Sequence, residues 1–255
     1  MTRVMIDAVA FDALDLESAV EVVVNAACNG VGGWVVTPNL DIMRQLSAHP
    51  PLRRYVEQAS LVLADGMPVV WASHLSGKRL PERVAGSSLV ERLLTESAKR
   101  GLSVLMVGGG PGVARRAAAR ILHTHPSLAI VGAITPAQDF DPTGQDAISL
   151  AEQVHRARPA IVLVGLGFPK QERLIEELRK VHPSAWYVGC GITLAFLAGD
   201  VRRAPVWAQR IGVEWIHRLV QEPRRLAGRY LRRDLPYAFQ LLTRSARQDS
   251  AFENI

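Results

Sequence analysis

Polar side chains follow two of the β-rich segments in this chain, at the points where those segments end. Thr37 and Asn39 lie two residues apart after an apolar run, and Asp65 comes directly after another. A carboxylate in this position could accept a proton from a bound hydroxyl group. Asn39 and Asp65 are also good helix N-cap residues. Position alone leaves the two interpretations even for Asn39 and slightly favours a cap for Asp65.

Glycine-rich turns follow two further strand-like segments. The run 108–112 includes Gly108 and Gly109, and it opens a helix-like segment in which backbone N–H groups could approach phosphate oxygens. No acidic residue follows the next strand to bind a ribose hydroxyl, so a nicotinamide cofactor is not expected and a nucleotide sugar fits better. The second turn contains Gly167 and Pro169, and Gln171 lies in the first helical turn after it, where its amide could contact a sugar hydroxyl.

Arginine is concentrated in the last quarter of the chain. Residues 202–247 contain 11 arginines, no lysine and three acidic residues, whereas residues 1–201 are neutral overall and the whole chain carries +6. The guanidinium group presents a planar set of donors that matches phosphate oxygens. This pattern favours contact with phosphate on a ligand or on a membrane surface over a merely solvated helical face.

Short β-rich runs alternate with helix-length segments over the first 200 residues, which predicts an α/β fold with a mostly parallel sheet covered by helices on both faces. The predicted strands are Val4–Val9, Trp34–Thr37, Leu61–Ala64, Ser103–Val107, Leu128–Ile134, Ala160–Val164 and Ala185–Val188. The predicted helices are Leu16–Cys28, Leu40–Leu46, Pro68–Leu75, Ser87–Lys99, Gly112–Thr124, Gln145–Ala157 and Lys170–Lys180. Ligands of such sheets bind beyond the carboxyl ends of the strands.

The pattern changes near residue 200, which predicts a body over residues 1–200 and an Arg-rich helical appendage over residues 201–255. Helices are expected at Pro205–Val220 and Pro223–Arg233, each with proline near its first position. Pro236 is expected to end or bend the second of these, leaving a weaker segment after it.

Metal and cofactor sites are not expected. Asp139 and Asp141 form the D-x-D pattern of many metal-dependent glycosyltransferases, but they lie in a proline-rich loop where acids commonly stabilise turns. Cys28 and Cys190 have no spacing typical of a metal site or disulfide. The first residues lack the basic and apolar pattern of a signal peptide, and no apolar run reaches the ~18 residues that span a bilayer. Any membrane contact is therefore expected to be peripheral.

The chain resembles the WecG/TagA/CpsF family of bacterial glycosyltransferases from Thr37 to about Arg233. The resemblance is carried by an ordered set of motifs: T-P-N at 37–39, A-D-G at 64–66, R-V-A-G at 83–86, G-x-G-x-P-K-Q-E at 165–172, R-A-P at 203–205 and E-W-x-x-R-L-x-x-E-P-R-R at 214–225, followed by Arg229 and Tyr230. Residues 189–196 depart from the Gly- and Asp-containing segment expected there, which leaves the nucleotide and sugar specificity open.

The resemblance implies a Rossmann-like body and inverting, metal-independent transfer of a hexosyl or N-acetylhexosaminyl unit. The donor would be a UDP-sugar, and the acceptor a polyprenyl-diphosphate-linked sugar on the inner face of the cytoplasmic membrane. Asp65 would be the catalytic base. Side chains implied in substrate binding are Thr37, Asn39, Arg83 and Gln171 in the pocket, and Arg218, Arg224 and Arg225 on the acceptor diphosphate.

Two other function classes remain open at this point. A basic protein of pI near 9.8 with arginines and aromatics could bind nucleic acid, although the chain contains no known nucleic-acid motif. A non-catalytic nucleotide-sugar sensor would also use the strand-end residues. The apolar helix face at Ala114–Leu122 leaves room for self-association.

Overall fold

The computed structural model describes residues 2–205, 207–208 and 214–252, and it does not describe the side chains of Arg225 and of residues 248–252. The strands are β1 (Arg3–Ile6), β2 (Val9–Asp12), β3 (Gly33–Val36), β4 (Leu61–Val62), β5 (Ser103–Gly108), β6 (Ala129–Ile134), β7 (Ile161–Gly165) and β8 (Trp186–Gly189). The helices of the body are α1 (Leu16–Cys28), α2 (Leu40–Ala48), α3 (Arg54–Glu57), α4 (Met67–Leu75), α5 (Gly86–Arg100), α6 (Val113–Thr124), α7 (Gln145–Ala157), α8 (Lys170–Val181) and α9 (Thr193–Ala198). A short 3₁₀ helix, Pro50–Arg53, precedes α3.

The C-terminal part of the chain is helical. It contains α10 (Glu214–Gln221), α11 (Pro223–Arg229), a π-helical turn (Tyr230–Asp234) and α12 (Leu235–Phe252). The predicted helix Pro205–Val220 falls partly on residues 206 and 209–213, which lie outside the described residues.

Six strands form one sheet in the order β4-β3-β8-β7-β5-β6, and every pair in it is parallel. The predicted α/β fold with helices on both faces is confirmed. Strand residues alternate between the two faces, as the period of two requires. Leu105 and Val107 pack into one hydrophobic cluster, whereas Val104 and Met106 pack into the other. Because both faces are buried, the strands are nearly continuous apolar runs.

Strands β1 and β2 form a separate antiparallel hairpin that lies against β4. The single predicted strand Val4–Val9 is therefore wrong. Asp7 and Ala8 adopt positive φ angles of 45° and 65°, which turn the chain back on itself. The backbone N–H of Val62 in β4 donates to the buried carboxylate of Asp12 at 2.8 Å. This bond gives a partner to a donor on the edge strand of the sheet.

The second predicted helix of the appendage, Pro223–Arg233, ends as an α-helix at Arg229, and a π-helical turn separates it from α12. Pro236 lies in the first turn of α12, an 18-residue helix, where a missing N–H breaks no bond of that helix. The weaker segment expected after Pro236 is therefore wrong, because an 18-residue helix is found there.

Helix α12 packs against α4 and α2 of the body. Its Tyr237 and Leu241 are buried in the same hydrophobic cluster as the sheet residues, and the Tyr237 hydroxyl donates to Asp7 at 2.6 Å. The division at residue 200 stays a prediction, but α12 shares a core with the body.

Two further expectations concern surfaces. Most apolar residues of the face at Ala114–Leu122 are buried within the chain, where α6 packs against α9. Ala119 and Leu122 are exposed, and self-association through this face stays a prediction. Among the described residues, no helix is both long and apolar enough to cross a membrane.

Candidate active site

The carboxyl ends of β4, β3, β8, β7 and β5 meet at one edge of the sheet, and a cavity of about 990 Å³ lies there. This volume is at the upper end of the range for small-molecule sites. Residues after each of these strands line the cavity: Asp65 after β4, Thr37 and Asn39 after β3, Gly191 and Thr193 after β8, Gly167 and Gln171 after β7, and Gly109 after β5. The parallel topology therefore brings together residues that are up to about 150 positions apart in the chain.

The turns after β3 and β4 are fastened to each other. The backbone N–H of Asp65 donates to the carbonyl oxygen of Pro38 at 3.1 Å. Asn39 caps α2 through a 3.1 Å bond from the Ile42 N–H to its Oδ1, so the capping interpretation of Asn39 is confirmed. Asn39 also lines the cavity, and its amide N–H₂ group is not used by the cap. The two interpretations of Asn39 are therefore compatible.

The Asp65 side chain does not cap α4, the helix that follows it. Gly66 is the N-cap residue of α4, and no side-chain bond caps that helix. The Asp65 carboxylate instead accepts a 3.4 Å hydrogen bond from the N–H of Gly86, the first residue of α5. A Cβ atom on Gly86 would lie 2.9 Å from Thr37 Oγ1, so glycine is needed for this close approach. Sequence reasoning had not singled out Gly86 for a role, although it ends the R-V-A-G motif.

Burial raises the pKa of Asp65 above its ordinary value. Arg83, whose Nη1 lies 3.8 Å from Asp65 Oδ1, lowers this pKa, and the nearby carboxylate of Glu214 raises it again. A carboxylate whose pKa moves toward neutrality is a more effective general base. Asp65 is therefore suited to remove a proton from a hydroxyl group bound in the cavity.

Gln171 holds two loops together. Its Oε1 accepts hydrogen bonds from the N–H groups of Gly167 and Gly191, both at 3.1 Å. Its Nε2 donates to Glu172 at 2.9 Å. Gln171 was expected to contact a sugar hydroxyl through its amide, but the oxygen of that amide is not available for this contact. Two backbone groups already use it, and one amide N–H is left for a ligand.

Glu172 is completely buried beside Gln171, and its Oε2 atom has no hydrogen-bond partner among the described residues. Burial raises the pKa of this carboxyl group to about 7. Burial therefore favours the proton-bound form of this carboxyl group.

The Glu172 contribution to stability is expected to depend on pH. Since the folded-state pKa is raised above the unfolded value near 4.5, the contribution is complete below pH 4.5 and is lost as the pH rises through about 7. The loss amounts to about 3 kcal/mol. The free energy of unfolding, measured with denaturant at pH 4.5 and 8, should fall less between these pH values for Glu172→Gln than for wild type. Glu177→Gln, a change on the exposed side of the same helix, should decline as wild type does. An equal fall in the free energy of unfolding for wild type and Glu172→Gln would contradict the pH-dependent contribution of Glu172.

The glycine run after β5 has two different roles. Gly109 and Gly110 line the cavity, whereas Gly108 does not. A Cβ on Gly108 would lie 2.4 Å from the carbonyl oxygen of Gly165, so Gly108 allows β5 and β7 to approach. Pro169, which follows a cis peptide bond, also does not line the cavity, although its neighbour Phe168 does.

The C-terminal helices form one wall of the cavity. Lining residues from this part of the chain include Glu214, Trp215, Arg218, Arg229, Tyr230, Asp234 and Phe239. The Nε atom of Arg218 is buried and has no hydrogen-bond partner among the described residues. Arg224 is exposed and does not line the cavity, and the side chain of Arg225 lies outside what the structure describes. Of the three predicted acceptor-binding arginines, the structure thus places Arg218 at the cavity.

Paired charges attach this wall to α2. Arg44 contacts Asp41 at 2.5 Å and the buried Asp234 at 3.1 Å. Arg229 lies 3.6 Å from Asp234 and 3.8 Å from Asp41. Two carboxylates and two guanidinium groups balance one another, so the wall is fastened without excess charge. The resemblance motif contained Arg229, but no local pattern pointed to its partners.

Apolar side chains lie at the cavity's mouth with large exposed areas. Trp71 on α4 is 45% exposed, and Leu235 and Phe239 on α12 are 48% and 70% exposed. Each of them also lines the cavity. The cavity therefore runs from a polar floor to an apolar rim.

The D-x-D pattern and the buried cysteine were the other candidates for reactive or metal-binding groups. Asp141 accepts two 2.9 Å hydrogen bonds from Thr143, and the D-x-D segment lies outside the cavity, which confirms its role in a turn. Burial raises the pKa of Cys190 to about 12, so this thiol is not an activated nucleophile. Within the described ranges, no three His, Cys, Asp or Glu side chains are grouped so that they could hold a metal ion.

The comparison with known families agrees with this geometry. The model of the glycosyl transferase WecG/TagA/CpsF family matches residues 4–251, nearly the whole chain. The match includes the loops that carry Thr37, Asp65 and Gln171 as well as the C-terminal helices that close the cavity. The chain therefore belongs to the WecG/TagA/CpsF family of glycosyl transferases, whose members act in the synthesis of cell-surface polysaccharides.

Proposed function

We propose that the protein transfers a hexosyl or N-acetylhexosaminyl unit from a UDP-sugar to a polyprenyl-diphosphate-linked sugar, with inversion and without a metal ion. The observation that carries the proposal is the place of Asp65. Its carboxylate faces a cavity that Thr37 and Asn39 line on the sheet side and Arg218 lines on the helical side. Family membership supports glycosyl transfer, and the cavity's chemistry supports the finer assignment.

The reaction needs one carboxylate. Asp65 removes the proton from the acceptor hydroxyl group, and the acceptor oxygen forms a bond to the anomeric carbon as the bond from that carbon to the UDP oxygen breaks. Attack from the face opposite UDP inverts the centre in one displacement. A retaining reaction through a glycosyl-enzyme would require a second group as nucleophile.

The negative charge of the departing UDP must be stabilised by groups of the protein. The backbone of Gly110 borders the cavity and can approach a diphosphate closely, because this residue has no side chain. The N–H of the neighbouring Gly109 already donates to the carbonyl oxygen of Gly165 at 2.9 Å. Arg218 offers a guanidinium group at the opposite wall, and we assign it to the diphosphate of the acceptor. Thr37 and the free amide of Asn39 are placed to bind sugar hydroxyl groups.

The mouth of the cavity fits an acceptor with a lipid tail. Its apolar rim, formed by Trp71, Leu235 and Phe239, would lie beside the first isoprene units. Arg224, Arg232 and Arg233 are exposed on the same C-terminal helices. Anionic lipid attracts each nearby basic residue with about 1 kcal/mol, so these arginines support peripheral binding at the inner face of the cytoplasmic membrane.

A panel of UDP-sugars tests the proposal when it is combined with a short-chain lipid-diphosphate sugar as acceptor. We expect UDP release and a glycosylated acceptor with one donor, an inverted anomeric configuration by NMR, and the same rate with a chelator. Donor binding without UDP release would favour a nucleotide-sugar sensor. Salt-dependent DNA binding without sugar transfer would favour a nucleic-acid-binding protein. A rate that the chelator abolishes would overturn metal independence alone.

A further inference from the structure

A chain of charged groups leads from Asp65 to the C-terminal helices. Arg83 Nη1 lies 3.8 Å from Asp65 Oδ1 and donates a 3.3 Å hydrogen bond to Glu214 Oε2 on α10. The side chains of Arg83 and Glu214 are only 15% and 17% exposed, so solvent screens this interaction weakly. One guanidinium nitrogen is thus shared between two carboxylates, and it lies closer to the carboxylate of Glu214.

Beyond Glu214, the row of charged groups continues to Arg203, which is bonded to the body of the protein. Arg203 Nε lies 4.0 Å from Glu214 Oε1. The same guanidinium donates to Glu91 at 2.9 Å and to Ser88 at 2.6 Å, both on α5. Glu214 therefore lies beside a guanidinium group that is itself attached to the body of the protein.

We propose that Glu214 is a positioning residue: it holds Arg83 away from Asp65 and so leaves the Asp65 carboxylate free to take the acceptor proton. The inference rests on the proposed role of Asp65 as base. Without Glu214, Arg83 would have Asp65 as its nearest carboxylate and would form a direct ion pair with it. Such a pair would occupy the oxygen that has to accept the proton and would weaken it as a base.

The charged groups that face Asp65 determine the sign of the effect. Arg83 and Arg203 lower the pKa of Asp65, whereas Glu214 and burial raise it. Removing the Glu214 charge takes away a raising influence and releases Arg83, and both changes lower the Asp65 pKa. Removing the Arg83 charge takes away a lowering influence and therefore raises the Asp65 pKa. The two substitutions should therefore move the activity profile in opposite directions.

The test is the pH dependence of kcat/KM for the acceptor, with the full-length chain and a saturating UDP-sugar. For Glu214→Gln we expect the acidic limb to move to lower pH by about one unit and the plateau rate to fall about tenfold. For Arg83→Gln we expect that limb to move to higher pH. Glu214→Asp keeps the charge and should keep the limb close to that of wild type.

Glu91→Gln is the matched control for an effect that comes only from weaker attachment of the C-terminal helices. It removes a carboxylate that contacts Arg203 but is not among the groups that perturb Asp65, so the limb should stay in place. The inference is overturned if the acidic limb of kcat/KM lies at the same pH in wild type, Glu214→Gln and Arg83→Gln. It is also overturned if the two substitutions move that limb in the same direction. If Glu214→Gln unfolds, the Arg83→Gln and Glu214→Asp profiles decide alone. Retained turnover in Asp65→Asn would instead overturn the proposed base, which separates the two failures.

Discussion

Replacing Asp65 by asparagine is expected to lower the turnover of donor and acceptor by about 10²–10⁴-fold, the usual contribution of a general base. Asparagine has nearly the same shape but cannot accept the acceptor proton at neutral pH. Its side-chain oxygen can still accept the hydrogen bond from the Gly86 N–H, so the loop should keep its conformation. Donor affinity, measured by calorimetry with the UDP-sugar alone, should change little. Released UDP in the presence of acceptor is the measure of turnover.

Asp141→Asn is the matched control for this substitution. Asp141 belongs to the D-x-D pattern that could have indicated a metal-dependent enzyme, and it lies outside the cavity in a turn with Thr143. We expect Asp141→Asn to keep turnover close to that of wild type. A large loss of turnover in Asp141→Asn together with normal turnover in Asp65→Asn would show that Asp141, and not Asp65, takes part in the chemistry.

Replacing Arg218 by glutamine is expected to lower kcat/KM for the lipid-diphosphate acceptor by about 10–100-fold. A hydrogen bond to a charged group contributes roughly 1.5–3 kcal/mol, and the guanidinium group lines the cavity with a buried Nε that has no partner among the described residues. Donor binding should remain within a few-fold of the wild-type value. Initial rates over a range of acceptor concentrations at saturating donor measure the effect.

Arg224→Gln removes the same charge six residues away, from an exposed side chain that does not line the cavity. With a water-soluble short-chain acceptor, we expect it to lose much less than Arg218→Gln. With anionic vesicles, both variants should bind more weakly, because surface attraction depends on charge near the membrane. Equal losses with the soluble acceptor would show that the C-terminal arginines act as a diffuse charge.

The loops of the site were predictable from the sequence because parallel strands bring their carboxyl ends to one edge of a sheet. Thr37, Asn39 and Asp65 each follow an apolar run, and these runs are strands β3 and β4 of the structure. Helix bounds were predicted closely where capping and periodicity agree. Asp15 caps α1 by accepting from the Ser18 N–H, and the prediction Leu16–Cys28 coincides with that helix.

Several predictions failed where a local pattern has two outcomes. The segment Val4–Val9 has strand-like composition, but the turn at Asp7 and Ala8 converts it into a hairpin that continues to Asp12. The weaker segment expected after Pro236 is an 18-residue helix that begins at Leu235. Its Tyr237 and Leu241 pack in the core against residues far away in the chain, and local patterns do not contain that contact.

The sequence by itself determined the α/β architecture, the edge of the sheet where the cavity lies and the residue types present there, because strand periodicity and helix capping depend on near neighbours. Tertiary structure alone decided which of those side chains are available for chemistry. Gln171 was expected to face a sugar, yet backbone groups of two loops occupy its oxygen. Arg83 is shared between Asp65 and Glu214, which are about 150 positions apart, and α10 must dock before the second partner exists. Such choices depend on distance in space and on burial, and neither quantity is written in the spacing of residues along the chain.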